Sequence, residues 1–230
     1  MFKLSKETEF ISNVSKKELS VLFCDIRNFT NLTEDLSIDN ATYYVSMMYN
    51  HVADIVYANE GYIDKCVGDM IMVFWDFNGD LVKAKYMANK SCLEIKESMA
   101  SLNKRLKKLK LPVMDVGIGI SSGTMGIGMI GPRHAKNYTI IGNQVNLGAR
   151  LESLTKQYKV KAIVDQNSLH KNVLYKELGV PVEKGRVVRQ KIYEPICRKR
   201  DIVKRAIRAT DAFFTSGVLR QAKKYLSYVL

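Results

Sequence analysis

Cysteine is scarce in this chain: four in 230 residues, at positions 24, 66, 92 and 197, far apart and at no metal-binding spacing. That excludes a disulfide-dense secreted scaffold. Cys24 and Cys66 lie inside apolar runs and read as buried free thiols in a reducing compartment, so a cytoplasmic location is expected. No apolar run reaches the ~20 residues that a membrane-spanning helix needs; the longest uncharged stretch, residues 116–132, carries six glycines. The opening residues MFKLSKETEF are mixed polar and show no signal-peptide pattern. No internal repeat or low-complexity tract is present, and a collagen-like class is excluded. Acidic residues are also in deficit, 23 against 36 basic ones, for a formal charge of +13. Such a balance favours anionic partners, whether nucleotide, nucleic acid or an acidic membrane surface, and charge alone does not choose among them. What the chain does have is 47% hydrophobic residues, enough to bury a core in one or two domains.

Residues 1–17 are weakly patterned and read as a lead-in or linker. Residues 19–26, LSVLFCDI, are a compact apolar run and predict a buried strand. Helical spacing at Ala41, Val45, Met48, Val52 and Val56 predicts a helix capped by Ser37 or Asp39 and ended by Gly61. In residues 62–75, YIDKCVGDMIMVFW, two β-rich arms flank a Gly68-Asp69 turn, a hairpin signature. A long helix is expected from Leu81, limited by Pro112, with Lys83, Lys85, Lys90, Lys96, Lys104, Lys107 and Lys108 on its outer face. Residues 113–131 read as two glycine-interleaved strands about Ser121-Ser122-Gly123. A short strand at 138–141, a helix with Asn143 as N-cap, a strand at 161–165 and a basic hairpin at 183–196 follow. Residues 201–230 read as two short helices broken near Ser216-Gly217. The order implies an α+β sandwich, a ferredoxin-like βαββαβ core with an extra hairpin and C-terminal helices.

Asp25 ends the first strand and Asp69 occupies the turn of the hairpin that lies beside it, so the two carboxylates can converge at one sheet edge. Paired carboxylates suit Mg²⁺, which takes oxygen ligands and keeps phosphate oxygens in its shell. The following IRNFT segment, which includes Phe29, offers backbone N–H groups to phosphate. Each residue also has a plain structural reading: a helix-capping Asp, a common Gly-Asp turn. Asn146 and Arg150, four apart, share a helix face, where an Arg can neutralise phosphoryl charge or can simply be a surface residue with a local partner. Lys65 alone reads as a solvated strand lysine.

Taken together, VLFCDIRNFT, YIDKCVGDMIMVFW and YTIIGNQVNLGARLE resemble the class III adenylate/guanylate cyclase catalytic domain over roughly residues 18–196, in family order. The resemblance implies a catalytic domain over residues 18–198, with residues 199–230 as a C-terminal helical extension outside it. It implies that Asp25, Asp69 and the Ile26 carbonyl hold two Mg²⁺ or Mn²⁺ ions. One ion would activate the ribose 3′-OH and the other would hold the triphosphate. Asn146 would position the ribose and Arg150 would stabilise the pentavalent α-phosphate. Lys65 and Thr139 match the base-selecting pair. Lys65 implies ATP rather than GTP, and Thr139 replaces the commoner Asp while remaining able to accept from the adenine amino group. Phe29 and Arg186 are implied on the substrate side, Arg186 as the basic residue that reaches the polyphosphate. The resemblance also implies a bacterial-like head-to-tail homodimer, with aspartates from one subunit meeting Lys, Thr, Asn and Arg from the other. An upstream regulatory or membrane domain would belong to a longer protein, tethering this part at the inner face of a membrane.

The implied function is adenylate cyclase activity, ATP to 3′,5′-cyclic AMP and pyrophosphate. The alternative is a non-catalytic cyclase-homology module for dimerisation or nucleotide sensing; such modules lose an Asp, the Asn or the Arg, and all are present here. A nucleic-acid binder of ferredoxin-like fold would show an aromatic RNA-binding strand, and none is found, so no nucleic acid partner is expected. A diguanylate cyclase would show GG(D/E)EF where this chain has VGDMI.

Overall fold

The apolar run at residues 19–26 forms the inner part of β1 (Ser15–Ile26) in the computed structural model, which describes residues 14–183, 186–187 and 190–202. β1 starts four residues before that run, pairing from Ser15 opposite Ile127, so the end of the expected lead-in already belongs to the sheet. Every side chain from Leu19 to Cys24 is buried. Strand alternation sends Leu22, Cys24 and Ile26 to one face and Leu19, Val21 and Phe23 to the other.

Two layers cover these faces. A single helical turn, α1 (Phe29–Thr33), leads to α2 (Ile38–Ala58), which Ser37 caps by accepting from the Asn40 N–H. The expected hairpin forms as β2 (Tyr62–Val67) and β3 (Met70–Trp75), with Gly68 at φ +62 in the turn. Asp80 caps α3 (Leu81–Lys108), which stops short of Pro112. Met48, Val52 and Val56 of α2 and Ala88, Cys92, Ile95 and Met99 of α3 pack on the Leu22/Cys24 face. The opposite face receives Val145 and Ala149 of α4 (Asn143–Tyr158). Strand order β2-β3-β1-β4, with each neighbour antiparallel, is the ferredoxin-like βαββαβ arrangement.

Several expectations are corrected. β4 (Val116–Ile130) is one strand rather than two, because β1 pairs with it without a break and the serines stay inside the sheet: Ser122 shares hydroxyl bonds with Ser20 and Ser168, each at 2.8 Å. β5 (Asn137–Ile141) pairs with β4, and β6 (Ala162–Asp165) runs parallel to it. β7 (Val173–Gly179) was not expected from sequence; its burial pattern has no clean alternation. The basic hairpin at 183–196 is not one unit. β8 (Val182–Glu183) and β9 (Arg186–Val187) pair alone, while β10 (Ile192–Arg198) joins β6 and β7 in the main sheet. The lysine face of α3 is partly engaged, since Lys96 donates to the Pro195 carbonyl at 2.7 Å. Cys66 is exposed rather than buried, as β2 is a sheet edge. Residues 199–202 are helical; the remainder of the two expected C-terminal helices lies outside the described residues. No helix among the described residues is long and apolar enough to cross a membrane.

The glycine interleaving in β4 has a packing cause. A Cβ on Gly119 would fall inside the backbone of α4, against the Glu152 nitrogen and the Gly148 oxygen, and Gly148 in turn lies on the Phe23 ring. Helix α4 therefore sits directly on the sheet, and this closeness fixes where its polar face stands. Replacing Gly119 with Ala is expected to destabilise the fold by about 3 kcal/mol, because backbone rather than a side-chain tip must yield. Gly126→Ala, whose Cβ would meet the Val14 side chain at 3.1 Å and the Ile141 carbonyl at an ordinary 3.7 Å, is expected to cost far less. Urea unfolding midpoints of the two variants check this.

Candidate active site

The register of β1 builds the first element of the site. Asp25 stands opposite Met70, and Asp69 immediately precedes Met70 in the hairpin turn, so the expected convergence of the two carboxyl groups occurs. Asp25 Oδ1 is buried without a hydrogen-bond partner. Burial, and then contact with Asp69, push the Asp25 carboxyl up to about 7; Glu152 of α4 adds to the push and the Ile26 backbone opposes it. Burial raises the Glu152 carboxyl too, against the pull of the Arg27 guanidinium, and Arg27 is tied at 2.8 Å to the Val160 carbonyl. A cleft of about 220 Å³ opens here, lined by Asp25, Ile26, Arg27, Asn28, Glu152 and Ser153. Ile26 has its side chain in the core and its carbonyl at the same strand end.

Two touching carboxyl groups with an orphaned buried oxygen suit a hard divalent cation of the Mg²⁺ type. Among the described residues no group of three or more His, Cys, Asp or Glu side chains is placed to hold a metal. The pair would thus supply part of a coordination shell and leave the rest to water and phosphate oxygens.

A second cluster joins β2 to β5. Lys65 is half-exposed on β2, opposite Met72, and Thr139 is buried on β5. Asp64 connects them: its Oδ2 accepts from Thr139 Oγ1 at 2.9 Å and lies 3.2 Å from Lys65 Nζ. Sequence reading did not single out Asp64. The available signal was an acid in the arm of an apolar hairpin, where burial demands a partner.

The third element is α4. Its N-cap is Gly142, at φ +142, so Asn143 is the first helical residue and not the expected cap. Asn146 is exposed and Arg150 half-buried, one turn apart on the helix, and neither lines the cleft at Asp25. Phe29 packs on the α2/α3 core and borders an apolar pocket with Ile38, Val45, Tyr49 and Gly68. Arg186 stands opposite Glu183 in β9, and its side chain lies outside what is described. The site residues thus fall into three groups within one chain: Asp25 with Asp69 and Ile26, Lys65 with Thr139, and Asn146 with Arg150.

The profile of the adenylate and guanylate cyclase catalytic domain matches residues 11–184, most of the chain. The chain belongs to this family. Adenylate cyclase 1 of Rhizobium meliloti (strain 1021) is 26% identical over 200 residues, 86% of this chain and 29% of that protein. The adenylate cyclase of Anabaena cylindrica is 30% identical over 158 residues, 68% of this chain and 31% of that protein. The cyclase domain therefore spans about a third or less of the length of these relatives. The crystal structure of the adenylyl cyclase CyaB from P. aeruginosa superposes with a TM-score of 0.74 at 27% identity, covering 82% of this chain and 98% of that one. The guanylyl cyclase Cya2 has the same fold, with a TM-score of 0.73 at 23% identity over 80% of this chain and 94% of that one.

The raised Asp25 carboxyl has a consequence for the metal-free cyclase domain. In the unfolded chain this group ionises near its ordinary value of 3.8, while in the fold it holds its proton to about 7. Folding is therefore disfavoured progressively as pH rises from about 4 to about 7, and the penalty stays constant above that range. Asp25→Asn is expected to be more stable than the wild type at pH 8 in chelator and to lose that advantage by pH 4. Added Mg²⁺ is expected to raise the melting temperature of the wild type more than that of the variant. Thermal melts across pH 4–8, with and without Mg²⁺, check both.

Proposed function

We propose that this domain is an adenylate cyclase, converting ATP to 3′,5′-cyclic AMP and pyrophosphate at sites shared across a head-to-tail homodimer. The observation that carries the reading is the Asp25–Asp69 pair at the end of β1, two carboxyl groups held together against their charge with a buried oxygen unpaired. Bound by these residues and the Ile26 carbonyl, two Mg²⁺ or Mn²⁺ ions would supply Lewis-acid activation of the ribose 3′-OH and neutralise the triphosphate. The chain's own side chains do the rest. Asn146 orients the ribose so that its 3′ oxygen faces the α-phosphorus. Arg150 meets the charge that grows on the α-phosphate as the bond to the β-phosphate oxygen breaks and pyrophosphate leaves. Lys65 donates to the adenine ring and Thr139 accepts from its amino group. Adenylate cyclases among the relatives support ATP as substrate.

The separation of Asn146 and Arg150 from the cleft at Asp25 supports a site completed by a second copy. So does the wing formed by β2 and β5, which exposes Tyr62, Val67, Tyr138 and Ile141. Large apolar side chains at that density favour burial against a partner.

Purified protein at high concentration with Mn²⁺ or Mg²⁺ is expected to form cyclic AMP from ATP in preference to cyclic GMP from GTP. Asp25→Ala and Arg150→Ala are each expected to lose activity by 100-fold or more. Mixed under conditions of subunit exchange, these two inactive proteins are expected to regain about a quarter of the wild-type rate, since half the dimers would be mixed and each would hold one intact site. Absence of recovery despite demonstrated exchange counts against the shared site. Absence of product from a dimeric, ATP-binding wild type points instead to a nucleotide-sensing module.

A further inference from the structure

We propose that Asp64 fixes the direction of the Thr139 hydroxyl, so that Thr139 offers only lone pairs to the purine and admits a 6-amino base over a 6-oxo base. The proposal rests on the reading of Lys65 and Thr139 as the base-facing pair, and it adds the residue that sets their hydrogen-bonding sense.

Asp64 is out of place for an edge-strand acid. The pairing of β2 with β3 shifts register between Ile63 and Lys65, so Asp64 occupies a bulge and leaves the ladder's alternation. Its neighbours Tyr62, Lys65 and Cys66 are exposed, yet its own side chain has 0% exposure. Oδ2 is engaged by Thr139 at 2.9 Å and by Lys65 at 3.2 Å, while Oδ1 is buried with no partner. Burying a carboxylate this way costs free energy that a solvent-facing residue would avoid.

The chemistry of the donors decides what the arrangement does. A carboxylate accepts and cannot donate, whereas a threonine hydroxyl has one proton and two lone pairs. With its proton committed to Asp64, Thr139 can only accept from a third group. An exocyclic amine satisfies that demand, and a carbonyl oxygen at the same position meets lone pairs and leaves both atoms unpaired. Asp64 also engages the Lys65 ammonium, which keeps further N–H donors for a ring nitrogen. One buried carboxylate thereby sets a donor and an acceptor side by side, the pattern complementary to the adenine edge.

The test is discrimination rather than rate. Asp64→Asn preserves size but can donate its amide N–H to Thr139, freeing the hydroxyl proton to face the base. The ratio of kcat/KM for ATP over GTP is expected to fall at least tenfold in Asp64→Asn and to be unchanged by the same substitution in a Thr139→Val background. Purine ribonucleoside triphosphate, which lacks the 6-amino group, is expected to be a poorer substrate than ATP for the wild type and nearly equal to it for the variant. Asp64→Ser, which can also donate to Thr139, replaces Asp64→Asn if the latter loses its cooperative melt. Equal losses with ATP and GTP, the ratio staying within twofold of wild type, would overturn the proposal and leave Asp64 as a clamp between β2 and β5. A wild type that prefers GTP overturns both this assignment and the base reading beneath it. A wild type that forms no cyclic nucleotide overturns the proposed function alone. Displacement of a fluorescent ATP analogue by ATP and by GTP then reads the same ratio at equilibrium, with the same outcomes for and against Asp64.

Discussion

Strand β1 is hydrogen-bonded on both edges and buried on both faces, so its register fixes most of the molecule. Leu22, Cys24 and Ile26 serve the core under α2 and α3, and Leu19, Val21 and Phe23 serve the core under α4. A slip of one residue would exchange the two sets and would turn Asp25 from the α4 face into the apolar interior beneath α2 and α3. The same pairing that buries these side chains therefore carries Asp25 to the strand end opposite Met70, next to Asp69. Gly119 and Gly148 add the complementary constraint from above, letting α4 lie against β4 and β1 so that Glu152 and Arg150 are positioned by backbone packing. Side-chain size on β1 and its absence on β4 are thus two halves of one condition.

Two aspartates, Asp165 buried and Asp25 half-buried, show how differently this scaffold treats charge. Asp165, at the end of β6, is raised to about 6 by burial, but Ser168 and Ser121 donate to it and hold it down. Every oxygen there has a partner, and the residue closes the turn after β6 as a structural element. Asp25 has the same cause of elevation and only the Ile26 backbone to relieve it: Oδ1 is orphaned, and contact with the Asp69 carboxyl raises it further. The fold thus satisfies one carboxyl completely and leaves the other opposed to a second carboxyl group. Such perturbed carboxyl groups gather where charged ligands are bound.

Legibility in the sequence followed the strength of local pattern. The run at 19–26, the Gly68-Asp69 hairpin and the helices beginning near Ser37 and Leu81 carry unambiguous periodicity, and each formed where expected. So did the meeting of Asp25 and Asp69, because a hairpin beside a strand end constrains both. Pattern failed where pairing is decided at long range. β4 reads as two strands because Ser121-Ser122-Gly123 resembles a turn, and only its continuous partner β1 keeps it straight. β7 and β10 have mixed burial and gain their order from each other, which no local signal encodes. Asn143 looked like a cap because Asn caps helices, yet Gly142 takes that position at φ +142, a conformation that a Cβ disfavours. For Asp64 the local signal says only that a partner is needed; which partner is decided at long range, by Thr139, seventy-five residues away.

The limits of fold as a guide to chemistry follow from these scales. An adenylyl cyclase and a guanylyl cyclase superpose on this chain almost equally well, with TM-scores of 0.74 and 0.73. The sandwich is therefore common to domains of both kinds. Adenine and guanine differ at the reading edge by the sense of one or two hydrogen bonds, each worth about 1–3 kcal/mol when left unpaired in a buried site. Energies that small do not reshape a backbone. They are set by where single protons point, which on the proposal made above would be decided in this chain by the carboxylate between Lys65 and Thr139. Base choice therefore belongs to a layer of structure that backbone superposition does not register, and it has to be read from the hydrogen-bond partners of individual side chains.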